Sequence, residues 1–446
     1  MSFPAIRVRH PISLPLVPNK RRTENPLHSG SQANINAMAI DPPVPRGPKR
    51  RVALLGLFGI GNTGNDASME TMLRFLREEA HGSSIHCLAV DPEAIHQTYG
   101  VDTIRLNSRF RSRLLFQLDK MLFRIPGGFV DLVRTIYAAH KFDLLVAPGT
   151  GLLDDFGTGP FNWPYTLLKW CVAARLSGAQ IWLVSIGAGP IQNPLSRWMM
   201  KKAAGLARYR SYRDRISLEF MKSIGFDTGK DAVYPDIVFK METPPTAAPM
   251  SRPNGKITVG VGVMGYKGWH AWEAGGAEIY ASYLSRITSF IVWLLDNSYS
   301  VRLFTGARSD GETVEEIGRQ LTAMRPDLNE QYVAVETDSL LELVAQMSAV
   351  DVTVATRFHN VLCSLKAGKP TISLGYARKN DVLMAEFGLG EYCYRIEDFD
   401  VERLKVQVVD ILENRKRISA SILSRLDELK AELERQDRHL LSEMLG

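Results

Sequence analysis

The stretch "ATRFHNVLCSLKAGKPTISLGYARKND" (355 to 381) places Arg357 and His359 two residues apart. They fall where the apolar run "VDVTVAT" gives way to a helical pattern, and Lys379, preceded by Arg378, follows the next apolar run, "PTISLGY". If those runs are buried strands, all of these cations stand at strand ends that open into helices. Unpaired N–H groups and the helix dipole favour an anion there, and open α/β sheets hold their ligands along that edge. Arginine neutralises phosphate or carboxylate with a bidentate fork, lysine does so as a point charge, and a histidine is the natural proton donor near neutral pH. A further cation, Arg213, follows a short strand in "YRSYRDRISLEFM", where Asp214 beside it offers the alternative of a plain intradomain ion pair. Together Arg213, Arg357, His359 and Lys379 describe a site for a small, highly charged anion such as a phosphate that also bears a carboxylate. Taken singly, each is as compatible with a structural role.

The carboxylates lie elsewhere. "VALLGLFGIGNTGNDASMETMLRFL" (52 to 76) reads as strand, glycine turn and helix, and Gly59 to Gly64 fits the spacing GxGxxG. A dinucleotide fold also needs an acidic residue about 20 positions on, at the end of a second strand; here Glu78 and Glu79 fall inside the first helix pattern instead. What Gly61, Asn62 and Gly64 supply is close backbone approach and free N–H groups for an oxygen-rich ligand. Asp66 beside them would repel an anion, so it suits a sugar hydroxyl, as hydrogen-bond acceptor or as general base. "APGTGLLDD" (147 to 155) adds Gly149, Gly151, Asp154 and Asp155, and "SIGAGPI" adds Gly187 and Gly189. Three glycine-bearing strand ends on one edge form a cleft floor on the acceptor side, or else simply turns.

The elements that carry these residues follow from hydrophobic period. "RVALLGL", "SIHCLAV", "FDLLVAP" and "QIWLVSIG" are apolar runs alternating with helical patterns, the signature of a parallel sheet. "METPPTAAPMSRPNGK" interrupts them with four prolines, and "ITVGVGVM", "VRLFTG", "YVAVET", "VDVTVAT" and "PTISLGY" resume the alternation. The expected architecture is α/β: two Rossmann-like doubly wound domains, 51–240 and 257–400, facing a cleft across a linker at 241–256. Residues 401–446 read as helical, packed on the body or, alternatively, dimerising as a coiled coil. Residues 1–50 are rich in Pro, Ser, Asn and Gln without a hydrophobic period and read as a disordered basic tail. Residues 1 to 51 hold nine Lys and Arg against two acids, which leaves the other 395 residues at −1 although the whole chain is at +6. A nearly neutral body argues against a nucleic-acid groove. Hydrophobic content of 45% with 23% charged residues is that of a globular protein. No apolar run reaches the roughly 18 residues of a membrane span, and the proline-broken amino end lacks a signal-peptide core. The expected location is cytoplasmic, with at most peripheral contact at the inner membrane face. The four scattered cysteines read as buried small hydrophobes, and no metal-ligand spacing is present.

The quoted segments resemble the polysaccharide pyruvyl transferase family over most of 52 to 390: "GLFGIGNTGNDASME", "APGTGLLDD", "SYRDRIS" with "YPDIVF" after it, and "ATRFHNVLCSLKAGKPTISLGY" with its trailing lysine. The resemblance implies a fold similar to GT-B glycosyltransferases and transfer of the enolpyruvyl group of phosphoenolpyruvate to a glycan as a ketal. Phosphoenolpyruvate is then the donor substrate and no cofactor is implied. The acceptor is a glycan or lipid-linked oligosaccharide of exopolysaccharide synthesis, and a homo-oligomer remains possible. Arg357 and His359 take the places of the family's Arg-Leu-His donor site, with Phe358 for the leucine; Arg213 matches its upstream arginine and Lys379 its lysine after the last core strand. The family's Asn-x-Gly-Asp-Glu reads Asn62-Thr63-Gly64-Asn65-Asp66, an amide in place of the usual acid. The base therefore lies open between Asp66 and Asp154, with His359 as proton donor. Two other readings share the architecture: a nucleotide-sugar glycosyltransferase and a non-catalytic anion-binding protein. No Glu stands after the second-domain anion loop at a spacing suited to a nucleotide ribose.

Overall fold

The computed structural model describes residues 50–107 except 81, 125–242, 256–269, 275–328, 332–335, 337 and 339–445. The basic tail and most of the proline-rich linker, 243–255, lie outside the described residues. Two all-parallel sheets carry the fold. The first contains β1 (Arg51–Phe58), β2 (Ser84–Ala89), β3 (Asp102–Arg105), β4 (Leu144–Pro148), β5 (Gln180–Ile186), β6 (Tyr209–Tyr212) and β7 (Ala232–Val233), in the order β3-β2-β1-β4-β5-β6-β7. The second contains β8 (Thr258–Gly262), β9 (Ser300–Phe304), β10 (Tyr332–Val335), β11 (Val352–Ala355), β12 (Thr371–Gly375) and β13 (Cys393–Arg395), in the order β10-β9-β8-β11-β12-β13. Both orders reverse beside the first strand of their sheet, β1/β4 and β8/β11, and a crevice opens at such switch points. The central strands are buried on both faces because helices cover both sides. This is the doubly wound two-domain α/β architecture expected from the alternation of runs.

The two domains are in contact. One apolar core runs from Val52, Val146 and Trp182 in the first sheet through Val261 and Val354 in the second to Leu429 and Leu440 near the carboxyl end. A second core, with Leu145, Trp170 and Ile181, fills the opposite face of the first sheet. The helices Val401–Glu413 and Arg415–Leu445 follow the second sheet. The longer one crosses back to the first domain, where buried Gln436 accepts from Ser185 Oγ at 3.1 Å and donates to Ser211 Oγ at 2.9 Å. Asp437 pairs with Lys240 on the same route. Cys87, Cys171 and Cys363 are buried free thiols, and Cys393 is half-buried. No helix among the described residues is long and apolar enough to cross a membrane.

Candidate active site at the domain seam

On the second-domain side, β11 ends at Ala355 and the helix Phe358–Lys366 begins, with Arg357 extended at its N-cap (φ −76°, ψ 141°). Arg357 reaches sideways and grips Asp310 with one edge of its guanidinium, Nε to Oδ2 and Nη2 to Oδ1, each 2.5 Å. Asp310 is fully buried. It also accepts from the backbone N–H groups of Gly306, Ala307 and Gly265 at 3.1, 3.0 and 3.3 Å. Arg357 is therefore not held for an anion alone: one edge of its guanidinium is committed to a carboxylate that organises the loop after β9. Asp310 was missed because its partner lies 47 residues away and no local pattern joins them.

Arg213 comes from the first domain, directly after β6. Its guanidinium is buried and paired with Asp236 at 3.2 Å and Asp214 at 3.5 Å. It also lies 4.1 Å from the centroid of the Phe358 ring, so the first domain seats a cation on the second. Gly187 makes room for it, because a Cβ there would stand 2.9 Å from the guanidinium. Phe358 is buried in the core and is at the same time the aromatic floor under Arg213.

The loop after β4 supplies the carboxylates. Gly149 has φ +58° and faces Ser68, whose Oγ would lie 2.6 Å from an added Cβ. The two acids that follow differ. Asp155 is spent on backbone, accepting from Gln192 N and Asn193 N at 3.0 and 2.8 Å. Asp154 Oδ2 instead faces Lys379 Nζ across the seam at 3.9 Å. Burial pushes the Asp154 carboxyl above its usual range, and Lys379 opposes that shift. Gly151 gives this carboxylate its space, since a Cβ would meet Oδ2 at 2.5 Å. The loop is held against the second domain by aromatic contacts that the sequence did not signal. Phe156 packs on Trp269 at 4.9 Å and on Tyr376 at 5.1 Å between ring centroids, and Lys379 lies 5.1 Å from the Tyr376 ring.

His359 is at the centre of the seam. Its Nε2 is buried without a hydrogen-bond partner. Burial, with Arg213, Lys379 and Arg357 adding repulsion, holds its pKa down at about 3, so the imidazole is neutral at physiological pH. Opposite it stands Gly64, in the first turn of the helix Thr63–Glu79. A Cβ on Gly64 would fall 2.1 Å from His359 Nδ1, so glycine here is what lets the ring fit against the first domain. The neighbouring turn is stitched to the second domain by Thr63 Oγ1 donating to Gly306 O at 3.1 Å and by a backbone bridge between Asn62 and Ala307.

Arg213, Arg357, His359, Lys379 and Asp154 therefore meet at one seam. The other expected site residues have more local duties. Asn62 Oδ1 caps its helix by accepting from Gly64 N at 3.1 Å, and Gly61 takes φ +77° to make the turn. Asp66 Oδ1 accepts from Gly59 N at 2.9 Å, and its charged neighbour is Glu70. Burial raises the Asp66 carboxyl against that hydrogen bond. Of the two carboxylates, Asp154 is the one beside the cations, and Asp66 clasps the glycine turn.

Gly64→Ala isolates the His359 contact. Alanine favours a helix over glycine by about 1 kcal/mol, but a Cβ 2.1 Å from the packed ring overpacks the seam, which costs typically about 1–3 kcal/mol, so the melting temperature should hold or fall. The added methyl must displace His359 or part the domains, and a misplacement near 1 Å costs roughly 10²-fold in turnover. Steady-state kinetics beside thermal melts check this; unchanged turnover would show that the ring is not held against Gly64 during catalysis.

The polysaccharide pyruvyl transferase family model matches residues 62–378, which contain all the seam residues above except Lys379, one position beyond. The chain is 18% identical over 401 residues to the amylovoran biosynthesis protein AmsJ of Erwinia amylovora, covering 83% of this chain and 94% of that one. Among solved structures, S. aureus MnaA in its UDP co-structure superposes with a TM-score of 0.55 at 10% identity, over 84% of this chain and 90% of that one. The glycosyltransferase of kitacinnamycin gives 0.54 at 14% identity, over 89% and 100%. The UDP-GlcNAc 2-epimerase of Methanocaldococcus jannaschii gives 0.54 at 13%, over 83% and 94%. These likenesses show the GT-B type of fold, and the family match, extending over most of the chain, decides membership: this protein belongs to the polysaccharide pyruvyl transferase family.

Proposed function

We propose that this protein transfers the enolpyruvyl group of phosphoenolpyruvate to two hydroxyls of a glycan, forming a pyruvate ketal and releasing phosphate. The observation that carries this reading is the cluster of buried Arg213 with half-buried Arg357 and Lys379 around the neutral His359. Three cations match a donor that bears a phosphate and a carboxylate. Burial first, and then the three cations, keep His359 unprotonated in the empty site; an arriving trianion opposes the cations and so favours proton uptake by the imidazole.

The steps then balance. His359 gives its proton to the methylene carbon, which becomes the methyl group, and positive charge develops at the adjacent carbon. A sugar hydroxyl adds there, losing its proton to a carboxylate, for which Asp154 is the seam's own base. Breakage of the C–O bond to phosphate and closure by the second hydroxyl complete the ketal. Of the two hydroxyl protons, one replaces that lost by His359 and the other leaves with phosphate. Arg357 and Lys379 hold the phosphate and carboxylate throughout, and the fork of Arg357 not engaged by Asp310 is free to aim at the donor.

The test is incubation of the protein with phosphoenolpyruvate and a glycan acceptor, set beside the same acceptor with a UDP-sugar. Phosphate release together with a glycan mass gain of one pyruvyl ketal is expected. Release of UDP in the second arm alone would replace this reading with glycosyl transfer, and release of neither would leave a binding protein.

A further inference from the structure

The helix Ile125–Ala139 carries an apolar stripe on its outer face. Phe129, Val133 and Tyr137, spaced at four residues, are 68%, 51% and 75% exposed, and Leu176 at the end of the next helix is 67% exposed. The two helices are in contact here, since Ser177 Oγ donates to Ile136 O at 3.4 Å and buried Lys169 pairs with Asp131 at 2.5 Å. A contiguous run of large apolar side chains on the outside marks a surface that something covers.

The charges around the stripe decide what. Arg134, Lys141 and Arg175 are exposed beside it. The nearby acids are already engaged, Asp131 by Lys169 and Asp143 by Arg51. Aromatic and aliphatic residues flanked by exposed cations are the chemistry of a helix that lies in an anionic lipid interface. The topology fixes the orientation. This helix connects the parallel strands β3 and β4, so it runs against them and starts at their carboxyl edge, where the Asp154 loop also lies.

We infer that the Phe129–Val133–Tyr137 face docks the protein on an anionic phospholipid surface, with the acceptor side of the seam turned along that surface. The lipid source is a bilayer, and the surface serves a glycan acceptor that is itself held in the membrane. The docking itself does not depend on the donor chemistry, so vesicle binding and transfer fail separately.

Co-sedimentation of the full chain with vesicles of pure phosphatidylcholine and of phosphatidylcholine mixed with phosphatidylglycerol tests it. Binding is expected to the anionic vesicles alone and to weaken with salt. Phe129→Ser/Val133→Ser/Tyr137→Ser should weaken it by roughly a hundredfold or more, and Arg134→Glu by about tenfold or less. Neither should alter phosphate release with a water-soluble acceptor or lower the melting temperature. Absence of wild-type binding, or equal binding by the triple variant, overturns the inference. So does a dimer in lipid-free sedimentation that the triple variant abolishes, which would give this face to a second copy. A large melting-temperature loss in the triple variant with no wild-type vesicle binding would give it to the chain itself.

Discussion

His359→Gln should lower turnover by roughly 10²–10⁴-fold, the range for removing a general acid or base, while donor affinity changes far less. Glutamine keeps a polar side chain at the seam without a titratable proton. The empty protein gives a second readout. Because the folded pKa is depressed from 6.5 to about 3, the unfolded chain binds a proton that the folded one rejects. Stability is therefore full above about 6.5 and falls as pH drops through that window, by up to about 1.4 kcal/mol per unit. His359→Gln should flatten that part of the acid melting curve. Donor binding should run the other way. The causes of the depression are burial first and then three cations, and a bound trianion offsets only the cations, so binding should draw part of a proton from buffer, the more so as pH falls toward about 6. Calorimetry in buffers of different ionisation heat measures this uptake, and His359→Gln should abolish it. A variant that keeps wild-type turnover and uptake removes His359 from the chemistry.

The fold was legible because its signal is local. Runs such as "VALLGL" and "LLVAP" are apolar throughout, which in strands of this length means burial on both faces, and each carries its helix next to it in sequence. The site was legible in part for the same reason. Arg357, His359 and Lys379 lie immediately after strands, and the edge of a parallel sheet gathers whatever follows its strands. What sequence could not give was the pairing across the seam. That Gly64 is flush with His359, that Arg213 rests on Phe358, and that Asp154 rather than Asp155 faces Lys379 all depend on how one domain meets the other. Period and spacing describe single elements, and the angle between two domains is set by side chains hundreds of residues apart. Asp310 is the clearest instance. Nothing in "TGARSDGET" distinguishes it from a helix-capping aspartate, yet it holds four groups, one of them the arginine on which the proposed donor site rests.

That arginine gives the other large effect. Charge-assisted hydrogen bonds to a phosphate or carboxylate are each worth roughly 1.5–3 kcal/mol, so Arg357→Ala should weaken donor binding by about tenfold to a hundredfold or more. Its clasp on Asp310 adds an effect that a cleft-lining residue would not have. Removing one partner of a buried pair costs about 3–5 kcal/mol, and Asp310 keeps its three N–H donors, so the loss should fall toward the lower end. The melting temperature should therefore drop along with affinity. Arg357→Lys should keep the charge but not the fork, and should recover only part of either. Asp310→Asn separates the two roles. It removes the charge that aims Arg357 while leaving that cation in place, so donor affinity should fall without loss of net positive charge at the seam. Asp310 acts here as a positioning residue, and its effect should vanish in an Arg357→Ala background. Isothermal titration with phosphoenolpyruvate across the four proteins of this cycle, beside their thermal melts, reads both quantities. If Arg357→Ala lowers the melting temperature but binds the donor as well as wild type, the pair is structural and the donor site must be built from Arg213 and Lys379 alone.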